Sequence, residues 1–331
     1  MSIKIGINGF GRIGRYFTRI AEQTEGVEVV AINDLSDAKT LAHLFKYDSV
    51  HRQFEGTVKA LDNNIIINGR TVQLTNQKDP KLIPWDKANV DIVIESTGLF
   101  RTKDLASGHL NSGVKKVIIS APPKDDSIKS VVLGINDQIL DGTETVISNA
   151  SCTTNSAAPL VKVMKTLGKI ESCYITTVHS YTSDQRLHDA PHRDLRRARA
   201  AAESIVPTTT GAAKAITKIF PELEGSMGGC GIRVPVPDGS LSDMTFIMDH
   251  EITIDEINNA FKKASETDLK GILFYMEDPI VSRDIIGSPY SSTFDSKLTS
   301  IVGKMIKVVA WYDNEAGYSN RLVELVKKIG S

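Results

Sequence analysis

In the first half of the chain, short apolar runs alternate with helical periodicities. Ile3, Ile5 and Ile7 begin a strand that breaks at Asn8-Gly9-Phe10-Gly11-Arg12-Ile13-Gly14. Ile13, Tyr16, Phe17, Ile20 and Ala21 then share one helical face, Gly26 ends that helix, and Val27 to Ile32 reads as a second buried strand closing at Asn33-Asp34. The pattern predicts a βαβ unit. Further buried strands are expected at Ile65 to Ile67, Asp91 to Glu95, Lys116 to Ser120 and Thr145 to Ser148. Ser96-Thr97-Gly98 and Ser120-Ala121-Pro122-Pro123 follow two of them, at the strand ends where open α/β sheets bind ligands.

The second half reads differently. Ala157, Leu160, Val161, Met164 and Leu167 recur at helical spacing up to Gly168, and Glu171 to Val178 reads as a strand that delivers His179. A helical run covers Ala212 to Ile219. Alternating apolar positions from Ile232 to Ile254, broken by Pro235, Pro237 and Asp238-Gly239, predict an antiparallel sheet with turns. Thr253 and Glu256 form a capping box for a helix that turns Ile254, Ile257, Phe261 and Ala264 inward. Met305 to Tyr312 is a last strand, and Leu322, Val323, Val326 and Ile329 define a terminal helix. No repeat or long linker separates the halves, so a compact domain boundary is expected near Ala150.

The 331 residues suffice for two domains with separate cores. With 39 Lys plus Arg against 40 Asp plus Glu, the net charge of -1 provides no global field to attract nucleic acid or an anionic membrane, so any anion site must be local. No apolar run approaches about 18 residues and no charged and apolar leader precedes the first strand, which predicts a soluble intracellular protein. Cys152, Cys173 and Cys230 form neither a CxxC pair nor an even disulfide set; this spacing fits a reducing compartment and argues against a zinc site.

Five stretches carry candidate chemistry. Gly9, Gly11 and Gly14 spell G-x-G-x-x-G between a strand and a helix, with Asp34 about 20 residues on. The glycines suit a tight turn, close approach of a pyrophosphate and close helix packing. Asp34 suits a ribose 2′-OH and would repel a 2′-phosphate, which favours NAD over NADP. Cys152 falls in the first turn of its helix, where open N–H groups and the macrodipole would lower a thiol pKa from about 8.5 toward neutrality. His179 ends a strand in the same half, where folding can bring imidazole to thiol. From Ser183 to Ala202 the chain is polar and basic, with Arg186, Arg193, Arg196, Arg197 and Arg199 offering a solvated face, an anion site or an inter-subunit loop. Thr208-Thr209-Thr210-Gly211 precedes a helix and offers a second anion cradle.

Ile7-Asn8-Gly9-Phe10-Gly11-Arg12-Ile13-Gly14-Arg15, Ala150-Ser151-Cys152-Thr153-Thr154-Asn155, His179-Ser180-Tyr181-Thr182, Asp194-Leu195-Arg196-Arg197-Ala198-Arg199 and Trp311-Tyr312-Asp313-Asn314-Glu315 follow one another in the order of the phosphorylating glyceraldehyde-3-phosphate dehydrogenase family, which the chain resembles from end to end. The resemblance implies an α/β fold with a Rossmann-type doubly wound parallel sheet in residues 1–150, completed by a C-terminal helix at 317–331. Residues 151–316 would form an α+β catalytic domain with a mixed, largely antiparallel sheet. It implies Cys152 as nucleophile and His179 as its base. NAD would be held by Gly9, Gly11, Arg12, Ile13, Gly14, Asp34, Lys78, Ser120 and Asn314. Substrate phosphate and inorganic phosphate would be held by Ser151, Thr153, Thr182, Arg197, Thr210, Gly211 and Arg233. It further implies a cytoplasmic homotetramer that oxidises glyceraldehyde 3-phosphate to 1,3-bisphosphoglycerate through a thioester in glycolysis or gluconeogenesis; from charge, hydropathy and cysteine spacing no nucleic acid is required and no membrane partner or metal is expected.

Three positions depart from the family pattern. Ser156 stands where a cysteine is common, Ala190 where NAD-preferring relatives often carry a larger apolar residue, and Ala316 where tryptophan is frequent. Competing readings are an erythrose-4-phosphate dehydrogenase that hydrolyses the thioester, a semialdehyde dehydrogenase with a different substrate site, and a dinucleotide-binding regulator or RNA-binding protein without catalysis, which the near-zero net charge supports little.

Overall fold

The computed structural model describes residues 2–330, which divide into two compact units, one taking 2–131, 137–150 and 319–330 and the other 132–136 and 151–318. The first runs β1 (Ile3–Asn8), α1 (Arg12–Ala21), β2 (Val27–Asn33), α2 (Ala38–Lys46), β3 (Val58–Leu61), β4 (Asn64–Ile67), β5 (Arg70–Thr75), β6 (Ile92–Glu95), α3 (Lys103–Ser107), β7 (Lys116–Ile119) and β8 (Val146–Ser148). Its eight strands lie in the order β3-β4-β5-β2-β1-β6-β7-β8, parallel from β5 to β8 and antiparallel across β3-β4-β5. The central strands are apolar on both faces, as a covered parallel sheet requires: Ile5, Ile7, Val93, Ile94, Val117 and Ile118 are all fully buried.

The antiparallel edge was only partly anticipated. The turn from β4 into β5 is Asn68-Gly69, both at positive φ (48° and 83°), the backbone of a tight hairpin turn. β3 alternates half-buried and exposed residues, so its weak apolar signal gave it no strand expectation.

The second unit runs α4 (Cys152–Leu167), β9 (Ile170–Ser180), β10 (Val206–Thr208), α5 (Ala212–Ile219), β11 (Met227–Val234), β12 (Ser240–Met248), α6 (Ile254–Glu266), β13 (Leu273–Met276), β14 (Ser292–Asp295), β15 (Ser300–Val302) and β16 (Met305–Tyr312); α7 (Ala316–Gly330) supplies its last twelve residues to the first unit. Seven strands follow the order β10-β11-β9-β12-β16-β14-β13, with β15 beside β16. The sheet is mixed and largely antiparallel: β11 runs parallel to β9 and β13 to β14, while the other pairs are antiparallel.

The expected antiparallel segment from Ile232 to Ile254 therefore needs correction. Its first residues belong to a strand parallel to β9, because α5 and its flanking turns return the chain in the same direction. Its last residue opens α6. The capping box there is present in full, Thr253 Oγ1 accepting from the Glu256 N–H at 3.2 Å and the Glu256 carboxylate accepting from the Thr253 N–H at 2.8 Å. Ile257, Phe261 and Ala264 point inward, whereas Ile254 is 41% exposed because the first helical residue lies beside the cap and above the core. Among the described residues no helix is long and apolar enough to cross a membrane.

Candidate active site

In the first unit the glycine turn separates the three glycines by physical task. Gly9 sits at φ +88°, and its N–H donates to Asn33 O at 2.9 Å, which ties the turn to the end of β2. A Cβ at Gly14 would fall 2.5 Å from Gly9 O, so the packing of α1 on the turn excludes any side chain there. A Cβ at Gly11 would meet no atom within 4 Å, so protein packing does not require that glycine. Gly11 is also the N-cap of α1 and supplies no capping side chain. The helix start thus presents N–H groups to an anion, with a bare backbone over which a pyrophosphate can lie.

The Asp34 carboxylate accepts from the Phe10 N–H at 2.8 Å with one oxygen and from the Ser36 N–H at 2.9 Å with the other. It pins the turn while remaining half-buried at the sheet's carboxyl edge. Arg12 reaches away to Asp48 in a two-bond pair of 2.7 and 3.1 Å. Against the cost of burial, the His51 N–H and this guanidinium hold the Asp48 carboxyl at about 2. Ile13 is half-buried on α1, Ser120 follows β7 and donates its N–H to Glu95 O at 2.9 Å, and exposed Lys78 borders a surface cleft with Pro80, Phe100 and Leu105.

Sequence reasoning missed the buried network beneath this turn. The Glu95 carboxylate accepts from Asn8 Nδ2 at 2.5 Å, from the Thr97 N–H at 2.9 Å and from the Thr97 hydroxyl, and it lies 3.0 Å from His109 Nε2. Trp85 Nε1 lies 3.2 Å from His109 Nδ1; an indole can only donate, so Nδ1 accepts and Nε2 carries the hydrogen toward Glu95. Asn8, Asn33 and Glu95 each end an apolar run with a polar residue, and that recurrence was the available signal.

In the second unit, Ser151 caps α4, its Oγ accepting the Thr154 N–H at 3.0 Å, and Cys152 is the first helical residue. β9 carries His179 toward it, and Cys152 Sγ lies 3.5 Å from His179 Nε2. The parallel neighbour β11 puts Arg233 in register with His179. His179 Nδ1 is 2.7 Å from Ser180 O and 2.7 Å from Arg233 Nη1, which itself lies 3.0 Å from Ser180 O. One nitrogen cannot donate to the carbonyl and accept from the guanidinium together. With the hydrogen on Nδ1, the Nε2 lone pair faces the thiol. With Arg233 bonded to Nδ1, it does not.

Burial, and after it the charge of Arg233, push the imidazole down to about 3, so His179 is neutral. Burial pushes the Cys152 thiol up, with Arg233 and the hydroxyl and N–H of Thr153 pulling the other way. This corrects the expectation of a thiol brought toward neutrality by the helix start. Desolvation outweighs Arg233 and the Thr153 donors, and the resting pair is a thiol beside a neutral imidazole. Thr153 Oγ1 lies 2.9 Å from the Tyr312 hydroxyl, which also meets Thr177 Oγ1 at 2.9 Å; Tyr312 was not anticipated as part of the site. Ser156 is buried, with its Oγ 3.1 Å from Ser242 Oγ. All three cysteines are free thiols.

Arg197 pairs with Asp184 and, at 3.4 Å, with Asp194; its charge also lowers the pKa values of His179 and Arg233. Its Nη2 approaches Thr209 O at 3.5 Å, near the turn where Thr210 Oγ1 accepts the Ala212 N–H at 3.2 Å and exposed Gly211 begins α5 without a capping side chain. Thr182 is half-buried just beyond β9. Asn314 is buried after β16, its Oδ1 2.8 Å from Ser180 Oγ and 2.6 Å from Ser240 Oγ. Cys152, Thr153, His179 and Arg233 are thus in one cluster with Arg197 at its margin, whereas among the described residues no hydrogen bond joins Thr182, Thr210 or Gly211 to the thiol.

Comparison with known proteins gives matching family models for both parts of the chain. Residues 3–103 match the NAD binding domain of glyceraldehyde 3-phosphate dehydrogenase, and residues 151–314 match the C-terminal domain of glyceraldehyde 3-phosphate dehydrogenase. The glyceraldehyde-3-phosphate dehydrogenase of Geobacillus stearothermophilus is 53% identical over 333 positions, covering 100% of this chain and 99% of the relative. That of Streptomyces coelicolor is 52% identical over 335 positions, with 100% and 99% covered. Glyceraldehyde-3-phosphate dehydrogenase 1 of Bacillus subtilis is 51% identical over 331 positions, with 99% and 98% covered.

Proposed function

Because the chain belongs to the glyceraldehyde-3-phosphate dehydrogenase family, and is therefore an NAD-dependent oxidoreductase, we propose that it oxidises glyceraldehyde 3-phosphate with inorganic phosphate to 1,3-bisphosphoglycerate through a thioester on Cys152. The observation that carries this reading is the 3.5 Å approach of Cys152 Sγ to the Nε2 of a neutral, buried His179. The glycine turn fits the cofactor: a bare Gly11, an uncapped α1 and the Asp34 carboxylate suit pyrophosphate and ribose. When bound, NAD supplies the hydride acceptor.

The residues divide the remaining work. His179, with its hydrogen on Nδ1 toward Ser180 O, takes the thiol proton at Nε2 as sulfur adds to the aldehyde carbon, and returns it to the oxygen to give a thiohemiacetal. It then withdraws that hydroxyl proton while the carbon gives up its hydride, and the carbonyl of the thioester forms. An oxygen of inorganic phosphate attacks the thioester, the C–S bond breaks, and the sulfur recovers its proton from His179. Proton transfer of this kind contributes about a hundred- to ten-thousandfold in rate. Arg233 and Arg197 hold the phosphate groups, with Ser151, Thr153, Thr182, Thr210 and Gly211 as further contacts. An anion at Arg233 has a second effect. It offsets the charge that depresses His179 and draws Nη1 from Nδ1, which selects the tautomer whose lone pair faces the thiol.

The family relationship also supports a homotetramer working in the cytoplasm in glycolysis or gluconeogenesis. The test is turnover with NAD and glyceraldehyde 3-phosphate, with and without inorganic phosphate, followed by absorbance of the reduced nicotinamide. Sustained turnover that requires phosphate supports the proposal. Phosphate-independent turnover, faster with erythrose 4-phosphate, overturns it.

A further inference from the structure

We propose that Ser180 and Ser240 are positioning residues that fix the direction of the Asn314 amide, holding its oxygen inward so that its Nδ2 donates to the carboxamide oxygen of bound nicotinamide. The proposal rests on the reading of Asn314 as a cofactor contact. Three strand ends build the arrangement: β9 stops at Ser180, β12 starts at Ser240, and β16 stops at Tyr312, opposite Ser240 and two residues before Asn314. All three side chains are buried.

The distances discriminate between the two ways the amide can face. Ser240 Oγ lies 2.6 Å and Ser180 Oγ 2.8 Å from Asn314 Oδ1. Both fall in the range of O–H···O bonds, and 2.6 Å is shorter than an N–H···O bond. The Ser180 N–H donates to Ser240 Oγ at 3.1 Å, so that oxygen already accepts and its single hydrogen is left for Asn314. Turning the amide over would remove the acceptor both hydroxyls share, leaving Ser240 only the long 3.5 Å approach to Ser180 Oγ and the Ser180 hydrogen no acceptor among the described residues. Asn314 Oδ1 thus takes both hydroxyl hydrogens, and Nδ2, which makes no hydrogen bond among the described residues, remains as the donor. A carbonyl oxygen, and not an amine, is what such a group recognises.

The experiment is equilibrium binding of NAD and of its thionicotinamide analogue to the wild type and to Ser180→Ala, Ser240→Ala and Asn314→Ala, each with a thermal unfolding scan. The thioamide sulfur is a poor acceptor and so gains little from an oriented donor. Loss of one orienting bond should weaken NAD about three- to tenfold in either serine variant, with a smaller loss for the thio analogue. Ser180→Ala leaves no backbone N–H unpaired, so it decides the matter if Ser240→Ala fails to fold. If Asn314→Ala binds NAD as the wild type does, the cofactor reading of Asn314 falls. If Asn314→Ala loses affinity while both serine variants bind as the wild type does, or lose NAD and the analogue equally, the serine proposal is overturned.

Discussion

Two helix starts in this molecule solve the same electrostatic problem in opposite ways. α1 begins at Gly11 with no capping side chain, while α4 begins at Ser151, whose hydroxyl accepts the Thr154 N–H. The first leaves the positive end of the helix to a ligand. The second spends part of it on its own side chain, and its first residue, Cys152, lies among groups buried enough to push the thiol up instead of down. A helix N-terminus is therefore not one device. On the proposed mechanism, the bare start would take an anion, and at the capped one the neighbouring imidazole would activate the sulfur.

The largest test of that contrast removes the sulfur. Cys152→Ser should lose at least about 10,000-fold in turnover while NAD titration gives the wild-type affinity; turnover near wild type would refute a role for the thiol. Next comes the base. His179→Asn should cost about a hundred- to ten-thousandfold in turnover. It should also change the stability profile. A histidine held at about 3 in the fold against 6.5 when free binds its proton only on unfolding in that interval, so the wild type loses stability as pH falls from 6.5 toward 3. The contribution is at most about 1.4 kcal/mol per pH unit. Denaturant titrations from pH 7 to pH 4 should show a steeper loss for the wild type than for His179→Asn, and parallel curves would contradict a neutral buried imidazole.

The glycine turn separates binding from packing. Gly11→Ala should keep its melting temperature and lose about tenfold in NAD affinity, because its Cβ enters only space left open by the protein. Gly14→Ala should lose about 1–3 kcal/mol of stability, since its Cβ meets Gly9 O. Equal behaviour of the two variants in both assays would collapse the distinction. The smallest effect is at the cap: Ser151→Ala should destabilise by about 1 kcal/mol in denaturant titration, and no change would show that the α4 start needs no cap.

Local signals carried much of this fold. Ala212–Ile219, Met305–Tyr312 and the Thr253/Glu256 box lie where expected, since each depends on neighbours a few residues away. The Asn68-Gly69 turn was equally local and went unread. The direction of β11 was not local, because it depends on how α5 returns the chain. The site divides the same way. Motifs singled out Cys152 and His179, but the Cys152 pKa direction, the Glu95–His109 pair and the serines around Asn314 depend on burial and on partners 14 to 134 positions apart.

The most direct test of the central claim, that a neutral imidazole lets Cys152 form an acyl thioester, is rapid mixing with NAD and glyceraldehyde 3-phosphate in the absence of inorganic phosphate, followed by mass analysis of the quenched protein. The prediction is a burst of one reduced nicotinamide per chain and a glyceroyl phosphate adduct on Cys152 that phosphate discharges. Steady reduction of NAD with Cys152 unmodified would contradict it.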